Sequence, residues 1–213
     1  MKKLFIAAVA VMAFGVSNAQ DIKYGAKVGL NVATLNGDVE DAKSLIGAHL
    51  GGFVEIKINE KFAFQPELLY SMQGAKSEEI LWNDGFTVEK INNKFKLGYM
   101  NIPLMLKYHV KQGFFVEFGP QVGFLISAKN DYDYTEYYVS DGEVYISESD
   151  SEDIKDNLKS VDFGFNVGLG YEFTENMFAG ARYNLGLSDI NDVNGSNDKI
   201  GNGVFQLSFG YKF

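Results

Sequence analysis

Eight stretches of the sequence alternate apolar and polar residues with a period of two, and each is about ten residues long. This alternation is the pattern of a β-strand with one apolar face. About ten residues is also the length that a tilted strand needs to cross a bilayer. The pattern therefore predicts an all-β fold with strands at 24–32, 46–58, 62–73, 97–110, 114–127, 161–173, 177–187 and 204–213.

The connections between these strands alternate strictly between short and long. Three are short, around residues 59–61, 111–113 and 174–176, and four are long, at 33–45, 74–96, 128–160 and 188–203. An even strand number with this loop asymmetry is typical of bacterial outer-membrane barrels. We therefore expect an eight-stranded antiparallel up-and-down transmembrane β-barrel with four long external loops, three short periplasmic turns and periplasmic termini. A soluble lipocalin-type barrel is the alternative that shares the alternation.

The N-terminus has the composition of an export signal. Lys2 and Lys3 precede an apolar run at 4–16, and the small residues Ser17 and Ala19 follow. Because this is the order found in secretory signal peptides, we expect cleavage after residue 19 and an outer-membrane barrel at 20–213. The formal net charge of −9 argues against a nucleic-acid partner.

Aromatic residues fall at both ends of the outward faces that this assignment implies, as they do in barrels that sit in a bilayer. The periplasmic ends carry Tyr24, Phe62, Tyr108, Phe114, Tyr171, Phe173, Tyr211 and Phe213, and the external ends carry Tyr70, Tyr99, Phe163 and Phe205.

Four motifs at 25–31, 65–70, 102–108 and 119–123 resemble the PorT-like family of outer-membrane β-barrels, a porin-type family. The resemblance covers nearly all of 20–213. It implies a barrel in the Gram-negative outer membrane, in a family whose namesake is tied to protein secretion and surface assembly. The ending Tyr211-Lys212-Phe213 is similar to the aromatic signal that the barrel-assembly machinery reads, which implies that Phe213 is an assembly signal and that this machinery is a partner.

The phase opposite to the apolar residues carries charges of both signs, which we expect to form an interior charge network. An eight-stranded barrel is wide enough only for its own side chains, so these charges must pair with one another. A polar, largely plugged interior follows, and a small channel or transport accessory is the alternative. The predicted members are Lys27, Glu55, Lys57, Glu67, Lys107, Glu117, Asp162, Glu172, Arg182 and Lys212.

The segment at 128–160 is acidic and rich in tyrosine, with an Asp-Gly pair between β-forming residues. Asp-Gly is a strong signal for a hairpin turn. We expect an external hairpin that binds a surface protein or ligand, and a solvated loop is the alternative. The candidate binding residues are Tyr137, Tyr138, Asp141, Gly142 and Tyr145.

Catalytic chemistry is not indicated. The two histidines, His49 and His109, fall at opposite ends of the predicted barrel, and no nucleophile and base can be paired. We expect a non-enzymatic protein that mediates surface interaction or envelope integrity, surrounded by outer-membrane lipid, with no cofactor and no metal. Calcium binding is an alternative for two acidic groups, Asp131, Asp133 and Glu136 or Asp150, Glu152 and Asp153.

Overall fold

The computed structural model describes residues 21–39, 42–83, 85–111, 113–138, 144–193 and 195–213. The predicted signal peptide and the hairpin residues Asp141 and Gly142 therefore lie outside the described residues. The strands are β1 (Ile22–Gly37), β2 (Lys43–Lys57), β3 (Phe62–Asn83), β4 (Thr87–His109), β5 (Phe114–Tyr138), β6 (Val144–Asp153), β7 (Val161–Glu172), β8 (Met177–Gly186) and β9 (Ile200–Lys212).

Eight of these strands form a closed antiparallel ring. Its order is β1, β2, β3, β4, β5, β7, β8 and β9, and β9 pairs with β1 to close it. Strand β6 lies outside the ring and pairs with β5 alone among the described strands. The predicted eight-stranded antiparallel up-and-down barrel is confirmed.

Adjacent residues on a barrel strand point to opposite sides of the wall, as a period of two requires. Leu30, Val167 and Leu207 are exposed on the outside by 59%, 58% and 51%. Their neighbours Asn31, Asn166 and Gln206 are buried inside. The predicted outward residues Phe163 and Phe165 are also exposed, so the apolar phase forms the outer wall and the polar phase fills the interior.

The two ends of the barrel differ in how the strands are joined. The end with the turns at 58–61, 110–113 and 173–176 is called the short-turn end, and the opposite one the long-loop end. At the short-turn end, aromatic rings on the outer wall pair between strands. Ring centroids are 5.0 Å apart for Phe62 and Tyr108 and 4.7 Å apart for Phe114 and Tyr171. This is the aromatic girdle that the sequence predicts there.

At the long-loop end, much of what the sequence marks as loop is strand. β3, β4 and β5 continue past the barrel, and β6 returns along β5. Together they form the extension sheet, which comprises residues 74–83, 87–97, 128–138 and 144–153. The pairing of β5 with β6 agrees with the external hairpin predicted within 128–160. The strands at 74–83 and 87–97 were not predicted, because their polar residues do not alternate with apolar ones. Gly85 has a φ of +86° in the turn between β3 and β4, a conformation that favours glycine.

An apolar cluster lies in the interior at the long-loop end. It consists of Leu97, Tyr99, Leu125, Ala128 and Ile190, all buried, and is called the apolar cap. Tyr99 was expected on the outer wall, and that prediction is wrong. Odd-numbered residues of β4 face inward, as buried Asn101, Met105 and Lys107 do, and Tyr99 shares their phase.

A layer of three phenylalanines crosses the interior nearer the short-turn end. Phe53 and Phe115 each pack edge-on against Phe178, with centroids 5.6 Å and 6.1 Å apart. Each ring covers a glycine directly opposite on the neighbouring strand, where any Cβ would collide with it. The three pairs are Phe53 with Gly25, Phe115 with Gly170 and Phe178 with Gly210.

Helical structure is nearly absent from the described residues, whose single helical segment is the 3-10 turn Lys155–Asn157. No helix in this part of the chain is both long and apolar enough to cross a membrane.

Candidate functional site

The first charge cluster in the interior is centred on Arg182. Its Nη1 and Nη2 donate to the two carboxylate oxygens of Glu67 at 3.0 Å and 2.8 Å. Its Nε donates to Glu117 at 2.8 Å, and the Lys27 ammonium reaches Glu67 at the same distance. These four residues are the central charge cluster. Because β8 and β3 stand opposite each other in the ring, the contact between Arg182 and Glu67 crosses the barrel axis.

The second charge cluster lies toward the short-turn end. Glu55 accepts hydrogen bonds from Lys107 at 2.9 Å and Lys212 at 2.6 Å. Glu172 accepts one from Lys212 at 2.7 Å, and His109 Nε2 lies 3.3 Å from it. The Lys107 ammonium also lies 4.1 Å from the centroid of the Phe115 ring, a cation–π contact with the phenylalanine layer.

The structure brings eight of the ten predicted network residues into these two clusters. Asp162 is buried apart from them, where Ser188 Oγ donates to it at 2.6 Å and Asn202 at 2.8 Å. The prediction that Lys57 belongs to the interior charge network is wrong. Lys57 is exposed, because it is the last residue of β2 and its inward phase opens onto the mouth of the barrel rather than the packed interior.

That mouth is a vestibule of about 600 Å³, which the sequence did not predict. Lys57, Glu60, His109, Glu172 and Lys212 are among the residues that line it. The ligand atoms of Glu55, His109 and Glu172 lie within 4.8 Å of one another there. Two lysines already balance the two carboxylates, so a dication would add uncompensated charge, and the group is best described as an ion-pair cluster.

His49 is fully buried in the interior between polar neighbours. Its Nδ1 lies 2.7 Å from Asn31 Oδ1 and its Nε2 lies 2.9 Å from Ser208 Oγ. Amide and hydroxyl partners satisfy both ring nitrogens, so the contacts of His49 are those of a structural side chain.

The extension sheet separates charge between its two faces. Residues directly opposite each other in antiparallel strands share a face, so the register assigns every side chain. The face continuous with the outer wall of the barrel is called the lysine face, and the other the acidic face. The lysine face carries Lys76, Lys90, Lys94, Lys96 and Lys129, with Glu78, Asp131, Asp133 and Asp153. The acidic face carries Glu79, Glu89, Glu136, Glu148, Asp150 and Glu152, with Tyr132, Tyr134 and Tyr138.

The predicted binding hairpin does not form one surface. Tyr137 points to the lysine face and Tyr138 to the acidic face, because neighbours on a strand alternate. Tyr145 belongs to β6, and its side chain lies outside the description. Tyr132 and Tyr134 share the acidic face with Tyr138, and their spacing of two is a signal that could have identified them.

The carboxylates of the lysine face have partners across the strands. Ser149 donates to Asp133 and Ser151 to Asp131, each at 2.7 Å. The pKa of Asp131 is held below its ordinary value by hydrogen bonds from Lys96 and Ser151, and that of Asp133 by hydrogen bonds from Ser149 and Lys94.

On the acidic face, the negative charge of Asp150 raises the pKa of Tyr132. The alternation also separates both predicted calcium groups. Glu136 lies on the face opposite Asp131 and Asp133, and Asp153 lies opposite Asp150 and Glu152. Neither group of three therefore converges on one point.

The comparisons with known structures find barrels of similar length. Ail, the attachment invasion locus protein of Yersinia pestis, matches over 91% of this chain and 99% of its own at 14% identity and a TM-score of 0.45. Neisserial surface protein A matches over 89% and 97% at 14% identity and a TM-score of 0.48. OprG of Pseudomonas aeruginosa matches over 92% and 98% at 12% identity and a TM-score of 0.35. At these sequence identities and TM-scores, the similarity supports no inference about ligands.

A comparison with curated protein sequences found no match. The sequence model of a family described as outer membrane protein beta-barrel domain matches residues 18–192. This range holds every ring strand except β9, including those whose apolar residues form the outer wall. The chain therefore belongs to the outer-membrane protein β-barrel domain family, and its barrel spans the outer membrane of a Gram-negative envelope.

Proposed function

We propose that this protein is a non-enzymatic barrel, closed to solutes, whose extension sheet binds a partner at the cell surface. The observation that carries the proposal is the hydrogen-bonded contact of Arg182 with Glu67 across the barrel axis. This contact makes passage of solutes through the barrel the less favoured function. Binding by the extension sheet is then the function that the structure favours. The orientation, with the long-loop end outside the cell, is part of the proposal.

Three levels of contact across the interior support a closed barrel. The phenylalanine layer and the central charge cluster span it, and at the apolar cap the Asn202 amide donates to the hydroxyl of Tyr99 at 3.4 Å. A ring of eight strands has an interior that its own side chains can fill. Opening a path would require breaking buried ion pairs, which costs several kcal/mol in proteins.

Single-channel recording in planar bilayers tests closure. We expect no conductance steps from the wild-type protein and small steps from a Glu67→Ala/Arg182→Ala variant. The matched control removes two exposed residues of opposite charge at the rim, Lys57→Ala/Glu60→Ala, and is expected to stay silent. Reproducible steps from the wild type would contradict closure even if the double variant failed to fold.

The acidic face supports binding of a cationic partner. It gathers six carboxylates and three tyrosines, and none of the lysines among the described residues of the extension sheet lies on it. Tyrosine rings bind cations through their faces, and a surface of one charge sign attracts partners of the other. Among the described strands, β6 pairs on one side only, so its other edge adds a position where an extended peptide could pair.

Binding of a decalysine peptide to the full-length protein in nanodiscs tests this face. We expect Glu89→Gln/Glu148→Gln/Asp150→Asn to weaken binding about tenfold, since electrostatic attraction scales with the charge removed. The matched control, Asp131→Asn/Asp133→Asn/Asp153→Asn, removes the same charge from the lysine face and should change binding less than about twofold. Equal effects of the two triple variants would contradict a binding role of the acidic face.

The vestibule favours a second candidate, an accessory barrel for transport or secretion. It opens at the short-turn end and is lined by charges of both signs, which suits contact with a protein on that side. The PorT-like resemblance adds only that the namesake of that family is tied to protein secretion. Loss of secreted protein from cells that carry Lys57→Glu/Lys61→Glu, with normal barrel levels, would favour this candidate over surface binding.

Recognition of Phe213 by the barrel-assembly machinery is likewise part of the proposal. The Phe213 ring is exposed by 75% and packs against Tyr211 with centroids 5.5 Å apart. Phe213→Ala should therefore lower the amount of assembled barrel in cells without lowering the stability of the barrel that does assemble.

A further inference from the structure

The lysine face lies directly above the apolar outer wall on the same strands. On β3, the outward residues run from Phe62 through Leu68 to Met72, and Lys76 follows after Gly74. At about 3.3 Å per residue and a tilt of about 40°, the stretch from Phe62 to Met72 rises about 25 Å, the height of the apolar band of such barrels. Met72 therefore marks the upper edge of the hydrocarbon.

The lysines lie within reach of the next layer of the membrane. Lys96 is in register with Gly74, which lies about 5 Å above Met72 on β3, and with Lys129 on β5. Because the strands are tilted, the height changes by about 3 Å from one strand to the next. Lys76 pairs with Lys94, about 10 Å above Met72. The polar headgroup layer is about 5–8 Å thick on each side of a bilayer, and a lysine side chain can bend its ammonium toward it.

Three of the five lysines on this face have a carboxylate partner in an exposed ion pair, and two have none among the described residues. Lys43, which pairs with Lys76 from β2, shares Glu78 with Lys90 at 3.1 Å and 2.7 Å. Lys94 pairs with Asp133 at 3.1 Å, and Lys96 pairs with Asp131. Such exposed pairs contribute little and exchange readily. Within the described ranges, no carboxylate lies within 4 Å of the Lys76 or Lys129 ammonium.

A shallow cleft on this face offers a place for an anion. It measures about 280 Å³ and is lined by Lys43, Lys76 and Lys94, together with Asn92, Glu78 and Asp133 among others. Ammonium and amide groups are donors that suit a phosphate with several acceptor oxygens. In a chain with a net charge of −9, the lysines of the extension sheet nevertheless all lie on this one face.

We propose that the lysine face binds the phosphate groups of lipid headgroups in the leaflet next to the long-loop end. The continuity with the lipid-facing wall selects a lipid over a soluble anion, because acyl chains would pack on Met72 and Ile126 while the phosphate meets the lysines. This attachment fixes the extension sheet to the membrane surface with its acidic face turned away. It holds whether or not the acidic face binds a partner.

Native mass spectrometry of the full-length protein in a nonionic detergent tests the proposal, with dimyristoyl phosphatidic acid as the probe and dimyristoyl phosphatidylcholine as the zwitterionic comparison. We expect the wild type to bind phosphatidic acid about tenfold more tightly, and Lys76→Gln/Lys94→Gln/Lys96→Gln to abolish the preference. The control Lys57→Gln/Lys61→Gln/Lys111→Gln makes the same charge change at the short-turn end and should retain at least half of it. The smaller Lys76→Gln/Lys129→Gln variant should lower the preference about threefold.

Three results would overturn the proposal. The wild type could bind both lipids equally, or the lysine-face variants could retain the full preference for phosphatidic acid. Alternatively, inorganic phosphate at about millimolar concentration could displace phosphatidic acid completely, which would identify a site for a free anion rather than a lipid. Loss of the proposed partner binding by the acidic-face variants leaves the lipid result unchanged, so the two proposals fail separately.

Discussion

The central charge cluster and the lysine face are built from the same kinds of charged residue in two different environments. The Arg182–Glu67 contact and the Lys94–Asp133 contact have similar lengths, 2.8 Å and 3.1 Å. The side chains of the first pair are exposed by 3% and 0%, and those of the second by 41% and 40%. The comparison teaches that the surroundings, rather than the distance, decide what an ion pair contributes.

The difference matches the proposed tasks of the two regions. Buried pairs cannot exchange partners without leaving a charge unsolvated, which suits the proposed role of keeping the barrel closed. Exposed pairs lose little when a phosphate replaces a carboxylate, so the lysine face can take part in binding. Under the two proposals, the same residue types serve as a plug in one region and as a binding surface in the other.

The largest expected effect is the loss of Arg182. Arg182→Gln leaves Glu67 and Glu117 buried with too little positive charge, and should lower the free energy of unfolding by about 3–5 kcal/mol. Urea unfolding in lipid vesicles, followed by heat-modifiable gel mobility, measures it. Lys94→Gln is the matched control and should leave the midpoint unchanged. A similar shift in both variants would break the comparison between the regions.

A smaller effect is expected where the interior is close-packed. In Gly210→Ala, the new Cβ would lie 2.2 Å from the Phe178 ring, so the phenylalanine layer must shift, at a cost of about 1–3 kcal/mol. Gly52→Ala is the control, because its Cβ would meet only a backbone oxygen at 3.6 Å. The same unfolding assay applies, and equal stability of the two variants would show that the layer is loosely packed.

The smallest effect concerns acid and the extension sheet. Asp131 and Asp133 have pKa values below the ordinary 3.8, so their stabilising contribution is present above that pH and is lost as the pH falls below it. Trp82, the single tryptophan, is exposed in the extension sheet and reports its opening by fluorescence. We expect its emission to change below about pH 4 while the circular dichroism of the barrel persists.

Asp131→Asn/Asp133→Asn should remove most of that fluorescence transition, since the titrating groups are gone. If the barrel and the extension sheet lost structure at the same pH, the two regions would form one cooperative unit and the contrast drawn between them would be wrong.

Sequence alone predicted the barrel because its determinant is local. A period of two assigns each side chain to a face without knowledge of its neighbours, which is why Phe163, Phe165 and Val167 were placed correctly on the outside. The short turns and the even strand number then left few ways to close the sheet. The predicted interior charges were found by the same alternation.

Only the tertiary structure decided which charges meet. The choice of Arg182 for both Glu67 and Glu117 depends on how the closed sheet is staggered, since these residues lie on three different strands. Lys57 has the phase of an interior residue, but its height on the barrel places it in the vestibule. The part of the extension sheet formed by β3 and β4 was also not predicted, because its strands are joined to β5 by polar contacts such as that of Lys94 with Asp133, which are visible only when the strands are side by side.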